Sequence, residues 1–159
     1  MDIAGVFSAA VARDPDALAL VDGDIRRSYA EWGEDISRVA AGLAAQGLAK
    51  GDRLLCVMPN SYRMATLYWS CQFLGAVFTP FNWRATESEI AYAVADSEAR
   101  LVAVDERSVA IPDVASDRLV TIEARPDGPC FEDLLRGDPL DRSADLSDED
   151  ICLMLYTSG

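Results

Sequence analysis

Short apolar runs alternate with amphipathic patterns along the first hundred residues. Continuous apolar runs of four or five residues are typical of strands covered on both faces. Apolar residues spaced three or four apart indicate helices with one buried side. The predicted strands are 54–58, 76–80 and 101–104, and the helical patterns span 6–12, 32–44, 64–74 and 90–94. This alternation predicts an α/β fold with a largely parallel sheet flanked by helices.

A hairpin is predicted ahead of the first long helix. The apolar run 17–21 and the segment 25–29 are separated by Asp22-Gly23, a dipeptide that favours tight turns between strands. Ser28 or Tyr29 then leads into the helix, so the predicted hairpin immediately precedes this helix in the chain.

Polar residues and glycines mark the ends of the predicted helices. Gly47 closes the first long helix, since glycine readily adopts the left-handed conformation at a helix end. Either Asn60 or Ser61 caps the next helix, because both side chains can accept a backbone N–H. Thr86, with Glu89 three residues later, is a capping box that opens a further helix.

The charge of the chain excludes two classes of partner. The 159 residues carry a net charge of -13 and include no histidine. Nucleic acids and anionic membrane surfaces both require clustered Lys and Arg, so neither is an expected partner. Residues 105–150 hold 14 acidic residues and five arginines, which indicates a solvated, loop-rich segment.

The cysteines and the apolar runs indicate a reducing compartment and no membrane span. No two cysteines have the spacing of a zinc or redox pair, and we interpret all four as small core residues. No signal peptide is evident at the start, and the longest apolar stretches are too short to cross a bilayer. We therefore expect a cytoplasmic protein. The cysteines are Cys56, Cys71, Cys130 and Cys152.

The last nine residues predict a buried strand followed by the start of a phosphate-binding loop. The apolar run Ile151–Leu155 is followed by Tyr156 and then by Thr157, Ser158 and Gly159. Hydroxyls and backbone N–H groups can contact phosphate oxygens, and glycine allows close approach of the backbone. The alternative is that these three residues are only a frayed terminus.

Several segments occur in the order known from one family. Their succession over essentially the whole chain resembles the N-terminal part of the adenylate-forming superfamily, which holds acyl-CoA synthetases, adenylation domains and luciferases. The phosphate loop of that family begins Tyr-Thr-Ser-Gly and continues to a lysine, and 156–159 match its first four places. The segments are 29–32, 47–53, 59–61, 73–84, 89–92, 96–100 and 156–159.

The resemblance implies an activity for a longer protein. Such an enzyme joins a carboxylic acid to AMP, using ATP and Mg²⁺, and passes the acyl group to coenzyme A. Thr157, Ser158 and Gly159 would contact the ATP phosphates, while no residue of this chain is implied as a catalytic group or metal ligand. Asn82 favours the CoA ligases, because adenylation domains of peptide synthetases usually carry aspartate there. A carrier protein or another acceptor remains an alternative, and so does a short non-catalytic binding module on the same scaffold.

We expect residues 1–159 to be a truncated N-terminal part of the large AMP-binding domain. Residues 1–104 would be its regular βαβ region, 105–150 an acidic loop-rich segment, and 151–159 a strand leading into a cut phosphate loop. The chain alone should be inactive and bind no cofactor tightly. It should also self-associate, because strands absent from it would leave an apolar face or an unpaired edge exposed.

Other residues carry two interpretations each. Arg84 contacts phosphate or pairs with Glu87 and Glu89, and the ion pair is favoured. The acidic residues 148–150 form a metal site or a solvated linker, and the linker is favoured. Three aromatic residues line an acyl tunnel or belong to the core or an interface, and core or interface is favoured; they are Trp69, Phe81 and Trp83.

Overall fold

The computed structural model describes residues 3–108, 113–124, 128–140 and 144–157. The helices are α1 (Ile3–Arg13), α2 (Tyr29–Ala45), α3 (Tyr62–Leu74), α4 (Glu87–Asp96) and α5 (Phe131–Leu134). The strands are β1 (Leu18–Asp22), β2 (Ile25–Ser28), β3 (Arg53–Val57), β4 (Val77–Phe81), β5 (Leu101–Val104) and β6 (Leu119–Thr121). A 3₁₀ turn, Ser116–Arg118, precedes β6.

Four of these strands form one parallel sheet, in the order β4-β3-β5-β6. This confirms the predicted α/β fold with a parallel sheet flanked by helices. Proline is tolerated in β4 because β4 is the outermost named strand, where a missing N–H breaks no central ladder. Pro80 pairs in register with Cys56 of β3. The predicted hairpin is also present, and β1 and β2 form a separate antiparallel pair.

Helices cover both faces of the sheet. Leu54 and Cys56 of β3 belong to a core cluster shared with α2 and α3, while Leu55 and Val57 belong to a second cluster with Ile90 of α4. Successive side chains of a strand point to opposite faces, so a strand buried on both faces reads as an unbroken apolar run. All four of these β3 residues are fully buried.

The helix ends follow the capping chemistry, with one correction. Ser28 caps α2 and Thr86 caps α4, each in a capping box with a glutamate three residues on. The cap of α3 is Ser61, whose hydroxyl accepts the Met64 N–H at 3.2 Å. Asn60, offered as an alternative cap, precedes this position and is exposed.

Two glycines end helices in the left-handed region. Gly47 follows the last residues of α2 with φ 86°, and Gly75 ends α3 with φ 69°. The Gly47 and Leu48 N–H groups donate to carbonyls of the last turn of α2, as in a Schellman motif. The prediction that Gly47 closes α2 is therefore confirmed.

Buried hydrogen bonds and a short helix fasten α2 in place. Trp32 Nε1 donates to Thr66 Oγ1 at 3.0 Å, and Ser70 Oγ donates to the Ile36 carbonyl at 3.0 Å, which joins α2 to α3. Helix α5 also packs against α2, at Gly42. These contacts make α2 the centre of the helical layer.

In its described part, the segment 105–150 contributes β6, α5 and the 3₁₀ turn Ser116–Arg118 to the fold. The division of the chain at residues 104 and 150 stays a prediction. Cys56, Cys71 and Cys130 are buried as free thiols, whereas Cys152 is only half-buried. Within the described residues, no helix has the length and apolar character required to cross a membrane.

Candidate functional site

The carboxyl ends of the parallel strands define one edge of the sheet. The loops after β3, β4 and β5 begin at Met58, Asn82 and Asp105, and all three emerge at this edge. Open parallel sheets bind ligands at the carboxyl ends of their strands. Any nucleotide contact made by the chain is therefore expected here.

The segment 151–157 runs beside β4 towards that edge. The Phe78 N–H donates to the Cys152 carbonyl at 3.1 Å, and the Met154 N–H donates to the Phe78 carbonyl at 3.0 Å. Gln72 Nε2 also donates to the Cys152 carbonyl, at 3.2 Å. These bonds form one isolated parallel bridge, Phe78 with Leu153, rather than a strand.

The prediction that Ile151–Leu155 is a buried strand is wrong for the described structure. Ile151 is 69% exposed, Leu153 38% and Leu155 62%. The physical reason is position, because the segment lies outside β4 and no described strand pairs with its outer side. An apolar run therefore lies exposed along the edge of the sheet.

Tyr156 anchors the end of this segment on α4. Its ring meets that of Phe81 edge to face, with centroids 5.4 Å apart, and its hydroxyl donates to Asp96 Oδ2 at 2.8 Å. Partial burial and, secondly, the hydrogen bond to Asp96 together raise the pKa of the Tyr156 phenol to about 12. At neutral pH the phenol is consequently a hydrogen-bond donor.

Thr157 is exposed at the mouth of an open pocket of about 440 Å³. The pocket is also lined by Phe81, Ser88, Glu89, Tyr92 and Tyr156. The other two predicted phosphate contacts, Ser158 and Gly159, lie outside the described residues. The assignment of all three residues to ATP phosphates stays a prediction.

The described surroundings of Thr157 fit a phosphate group only in part. A free hydroxyl can donate to a phosphate oxygen, but Glu89 is the charged residue lining the pocket, and Lys and Arg are absent from that lining. In the described part of the chain, no cluster of three or more Cys, Asp or Glu has the geometry to hold a metal ion. The charge neutralisation that ATP needs would have to come from other residues.

Arg84 differs from its prediction. Its guanidinium carbon lies 4.0 Å from the centroid of the Trp83 ring, and among the described residues it makes no ion pair with Glu87 or Glu89. Glu89 is engaged elsewhere, because its carboxylate accepts the Thr86 N–H at 2.7 Å. This backbone hydrogen bond lowers the pKa of Glu89.

Two of the three aromatic residues pack against core clusters, and the third is half-buried at the surface. Trp69 packs against the main core cluster beside Phe7, and Phe81 packs against the cluster under α4. Trp83 is half-buried under Arg84. Asp150, in the acidic run before the terminal segment, pairs with Lys50 at 2.8 Å, which agrees with a surface linker.

Sequence reasoning missed two acidic residues, Asp96 and Asp105. Asp96 accepts the Tyr156 hydroxyl, whereas in the sequence the segment 96–100 stands out only by its resemblance to the family. Asp105 is 1% exposed directly after β5 and accepts two hydrogen bonds from the Arg107 side chain, at 2.7 Å each. These bonds lower the pKa of Asp105. A signal existed for Asp96, since an acid in the last turn of a helix opposes the helix dipole and calls for a partner.

Comparison with known proteins identifies relatives over nearly the whole chain. The family model described as AMP-binding enzyme matches residues 7–159. A feruloyl-CoA synthase of Amycolatopsis sp is 34% identical over 146 residues, which is 91% of this chain and 28% of that protein. The long-chain-fatty-acid–CoA ligase FadD13 of Mycobacterium tuberculosis is 30% identical over 145 residues, 86% of this chain and 28% of that protein.

Solved structures show the same arrangement. A fatty acyl CoA synthetase of Mycobacterium tuberculosis superimposes with a TM-score of 0.83 at 28% identity, covering 99% of this chain and 32% of that one. The N-terminal domain of FACL13 from the same organism gives 0.84 at 27% identity, covering 99% and 42%. The chain thus spans less than a third of the length of the curated relatives named above.

Proposed function

Since the chain belongs to the AMP-binding enzyme family, with acid–CoA ligases among its relatives, we propose that it is the N-terminal part of an ATP-dependent acid–CoA ligase. Apart from family membership, the observation that supports the proposal is the path of residues 151–157 beside β4. This segment brings Thr157 to the carboxyl-end edge of the parallel sheet, where nucleotides bind in such folds.

The proposed reaction has two steps. A carboxylate oxygen of the substrate bonds to the α-phosphorus of ATP while the bond to pyrophosphate breaks. The thiol of coenzyme A then displaces AMP from the acyl carbon and forms a thioester. Neither step requires a nucleophile from the protein, so the task of this chain is to bind and orient. Thr157, Ser158 and Gly159 would contact the ATP phosphates with hydroxyls and backbone N–H groups.

The chain alone is proposed to be inactive. Its described residues offer the nucleotide a hydroxyl, but the pocket lining offers no positive charge and the described chain no metal cluster. ATP, Mg²⁺ and coenzyme A would be bound by the longer protein, in the cytoplasm where these molecules are available. The first check is the gene: the reading frame after Gly159 should continue through Thr-Thr-Gly and reach Pro-Lys-Gly.

Pyrophosphate exchange tests the activity. The full-length protein, given ATP, Mg²⁺ and a panel of aliphatic and aromatic acids, should exchange labelled pyrophosphate into ATP only when an acid is present. The 159-residue chain is the matched negative control. No acid-dependent exchange by the full-length protein would overturn the ligase proposal, and strong exchange by the short chain would overturn its inactivity. Thioester formation with free coenzyme A, rather than with a carrier protein, decides the acceptor.

A pair of substitutions tests the role of Thr157. Thr157→Val removes the hydroxyl at nearly constant volume and should raise the KM for ATP by roughly two- to tenfold, the effect of one lost hydrogen bond. Thr157→Ser keeps the hydroxyl and should leave the KM near that of the unsubstituted enzyme. Equal KM values for both variants would remove Thr157 from the phosphate site.

Self-association of the isolated chain is proposed from its exposed edge. Ile151, Leu153 and Leu155 line the outer side of the sheet, where unpaired backbone groups and apolar side chains both favour pairing with another copy. Light scattering at rising protein concentration should show a growing mass. Leu155→Lys should reduce it, whereas Leu18→Lys, which adds the same charge at a similarly exposed leucine of β1, should not. A constant monomer mass would contradict the proposal.

A further inference from the structure

Asp96 occupies a position where a negative charge needs compensation. It is the last residue of α4, where the partial negative charge of the helix end disfavours a carboxylate. Two hydroxyls compensate for this: Tyr156 donates to Oδ2 at 2.8 Å, and Tyr92 donates to Oδ1 at 3.3 Å. The shorter bond comes from a residue 60 positions along the chain, next to Thr157.

The turn that carries Asp96 is fixed to the sheet. Arg53, at the start of β3, donates from Nε to the Ser97 carbonyl at 2.7 Å and from Nη2 to the Glu98 carbonyl at 2.9 Å. Ser97 Oγ in turn donates to the Ala93 carbonyl at 2.6 Å. Since both residues after Asp96 are held by the same guanidinium, Asp96 has a rigid support.

Tyr156 is restrained on its other sides as well. Its ring lies edge to face against Phe81 of β4 and against Tyr92, with centroids 5.4 and 6.5 Å away. Two residues earlier, the Met154 N–H donates to the Phe78 carbonyl. The bond from the Tyr156 hydroxyl to Asp96 is the shortest polar contact between the end of this segment and α4, beside a longer contact to the Ala93 carbonyl at 3.5 Å and the ring contact with Tyr92. Phe81 and the Met154 bond join the segment to β4.

We propose that Asp96 is a positioning residue: by accepting the Tyr156 hydroxyl, it sets where Thr157 meets a nucleotide phosphate. The inference rests on the proposed function of the 151–159 segment and deepens it. Asp96 itself is not proposed to contact a reacting atom. It acts through the covalent neighbour of Thr157, with Arg53 holding the turn beneath it.

Kinetics of the full-length enzyme test the proposal. Asp96→Ala should raise the KM for ATP about three- to tenfold, as expected for one hydrogen bond, with kcat and the KM for the acid unchanged. Asp96→Asn keeps an acceptor oxygen and should restore the KM. Tyr156→Phe should match Asp96→Ala, and combining the two should add nothing, because both remove the same bond. Tyr62→Phe is the control: it removes a tyrosine–aspartate bond of the same kind, to Asp35 of α2, away from this segment and should leave the KM for ATP unchanged.

Hydrogen exchange separates this proposal from the proposed function. In the full-length protein, the Met154 amide should exchange faster in Asp96→Ala and in Tyr156→Phe than in the unsubstituted protein, whether or not the protein adenylates an acid. Lack of pyrophosphate exchange by the unsubstituted protein would refute only the function. Unchanged amide exchange, or an unchanged KM for ATP in an active enzyme, would overturn the role of Asp96. If Asp96→Ala does not fold, Tyr156→Phe gives the same two readings.

Discussion

Two glycines of α2 make a matched test of how this helix packs. A Cβ at Gly42 would lie 2.9 Å from both Cα and Cδ2 of Leu134 in α5. A Cβ at Gly33 would meet Phe7 and Val11 of α1 at 3.5 Å, an ordinary contact distance. An alanine Cβ would therefore be too close to the α5 backbone at Gly42, but would make ordinary contacts with side chains at Gly33.

Helix propensity alone predicts that both substitutions stabilise the chain by about 1 kcal/mol. At Gly42, however, α5 would have to move by roughly 0.5–1 Å to restore normal carbon contacts. Such overpacking costs about 1–3 kcal/mol. We therefore expect Gly33→Ala to gain up to about 1 kcal/mol and Gly42→Ala to lose about 0–2 kcal/mol, taking the propensity gain into account.

Urea unfolding of the 159-residue chain measures the difference. Helical circular dichroism and tryptophan fluorescence should give coincident transitions, and the free energies should be compared at equal m-values. Because self-association is proposed, each variant is measured at two protein concentrations. If Gly42→Ala proves as stable as Gly33→Ala, α5 does not pack on α2 through Gly42, and the placement of α5 is refuted.

The remaining predictions concern three other interactions. Thr66→Val leaves the buried Trp32 N–H without an acceptor and should cost about 1–3 kcal/mol in urea unfolding, with Thr66→Ser as the control that keeps the hydroxyl. Arg107→Met leaves the Asp105 carboxylate buried without its ion pair and should cost about 1–3 kcal/mol at neutral pH. The pKa of Asp105 is lower in the folded chain than in the unfolded chain. The stabilisation that the ion pair gives is therefore present above the unfolded-state pKa of Asp105 and is lost as pH falls through its folded-state pKa. The stability deficit of Arg107→Met should accordingly vanish in acid. For Tyr156 the pKa is raised to about 12, so its contribution is present below about pH 10, the ordinary tyrosine pKa, and is lost as pH rises through the folded value. Tyr156→Phe should remove the component near 12 from the phenolate absorbance titration, and an unchanged titration would show that Tyr156 is not held as described.

The parts of the fold that were predictable from sequence depend on near neighbours in the chain. The apolar run 101–104 coincides with β5, because a strand that is buried on both faces is apolar at every position and its bounds are visible in the sequence. The capping box at Thr86 was recognisable because donor and acceptor are three residues apart. The choice between Asn60 and Ser61 needed the backbone, since both side chains satisfy the same chemistry.

The parts that were not predictable depend on partners far along the chain. The apolar run 151–155 has the composition of a buried strand, but its burial depends on which strands lie beside it, and it lies outside β4. Asp96 acquires its role from Tyr156, and no local pattern reports a contact across 60 residues. For the candidate site, Thr157 could thus be named from sequence, whereas what holds it in place could not.

The turn after α4 shows why this site tolerates local strain. Glu98 has φ 48°, in the left-handed region where glycine is favoured and where a side chain costs about 1–2 kcal/mol. The strained residue closes α4 as glycine would, with the Glu98 and Ala99 N–H groups bonded back into the last turn. In that conformation the Ser97 and Glu98 carbonyls both point at Arg53 of β3. The ion pair of Glu98 with Arg53 is exposed and contributes little, so the carbonyl bonds are the ones that hold the turn. They fix Asp96 relative to the sheet, and through Tyr156 they extend that fixed geometry to the segment proposed to contact phosphate. A locally unfavourable residue at the end of α4 is therefore consistent with a turn selected for position rather than for helix stability.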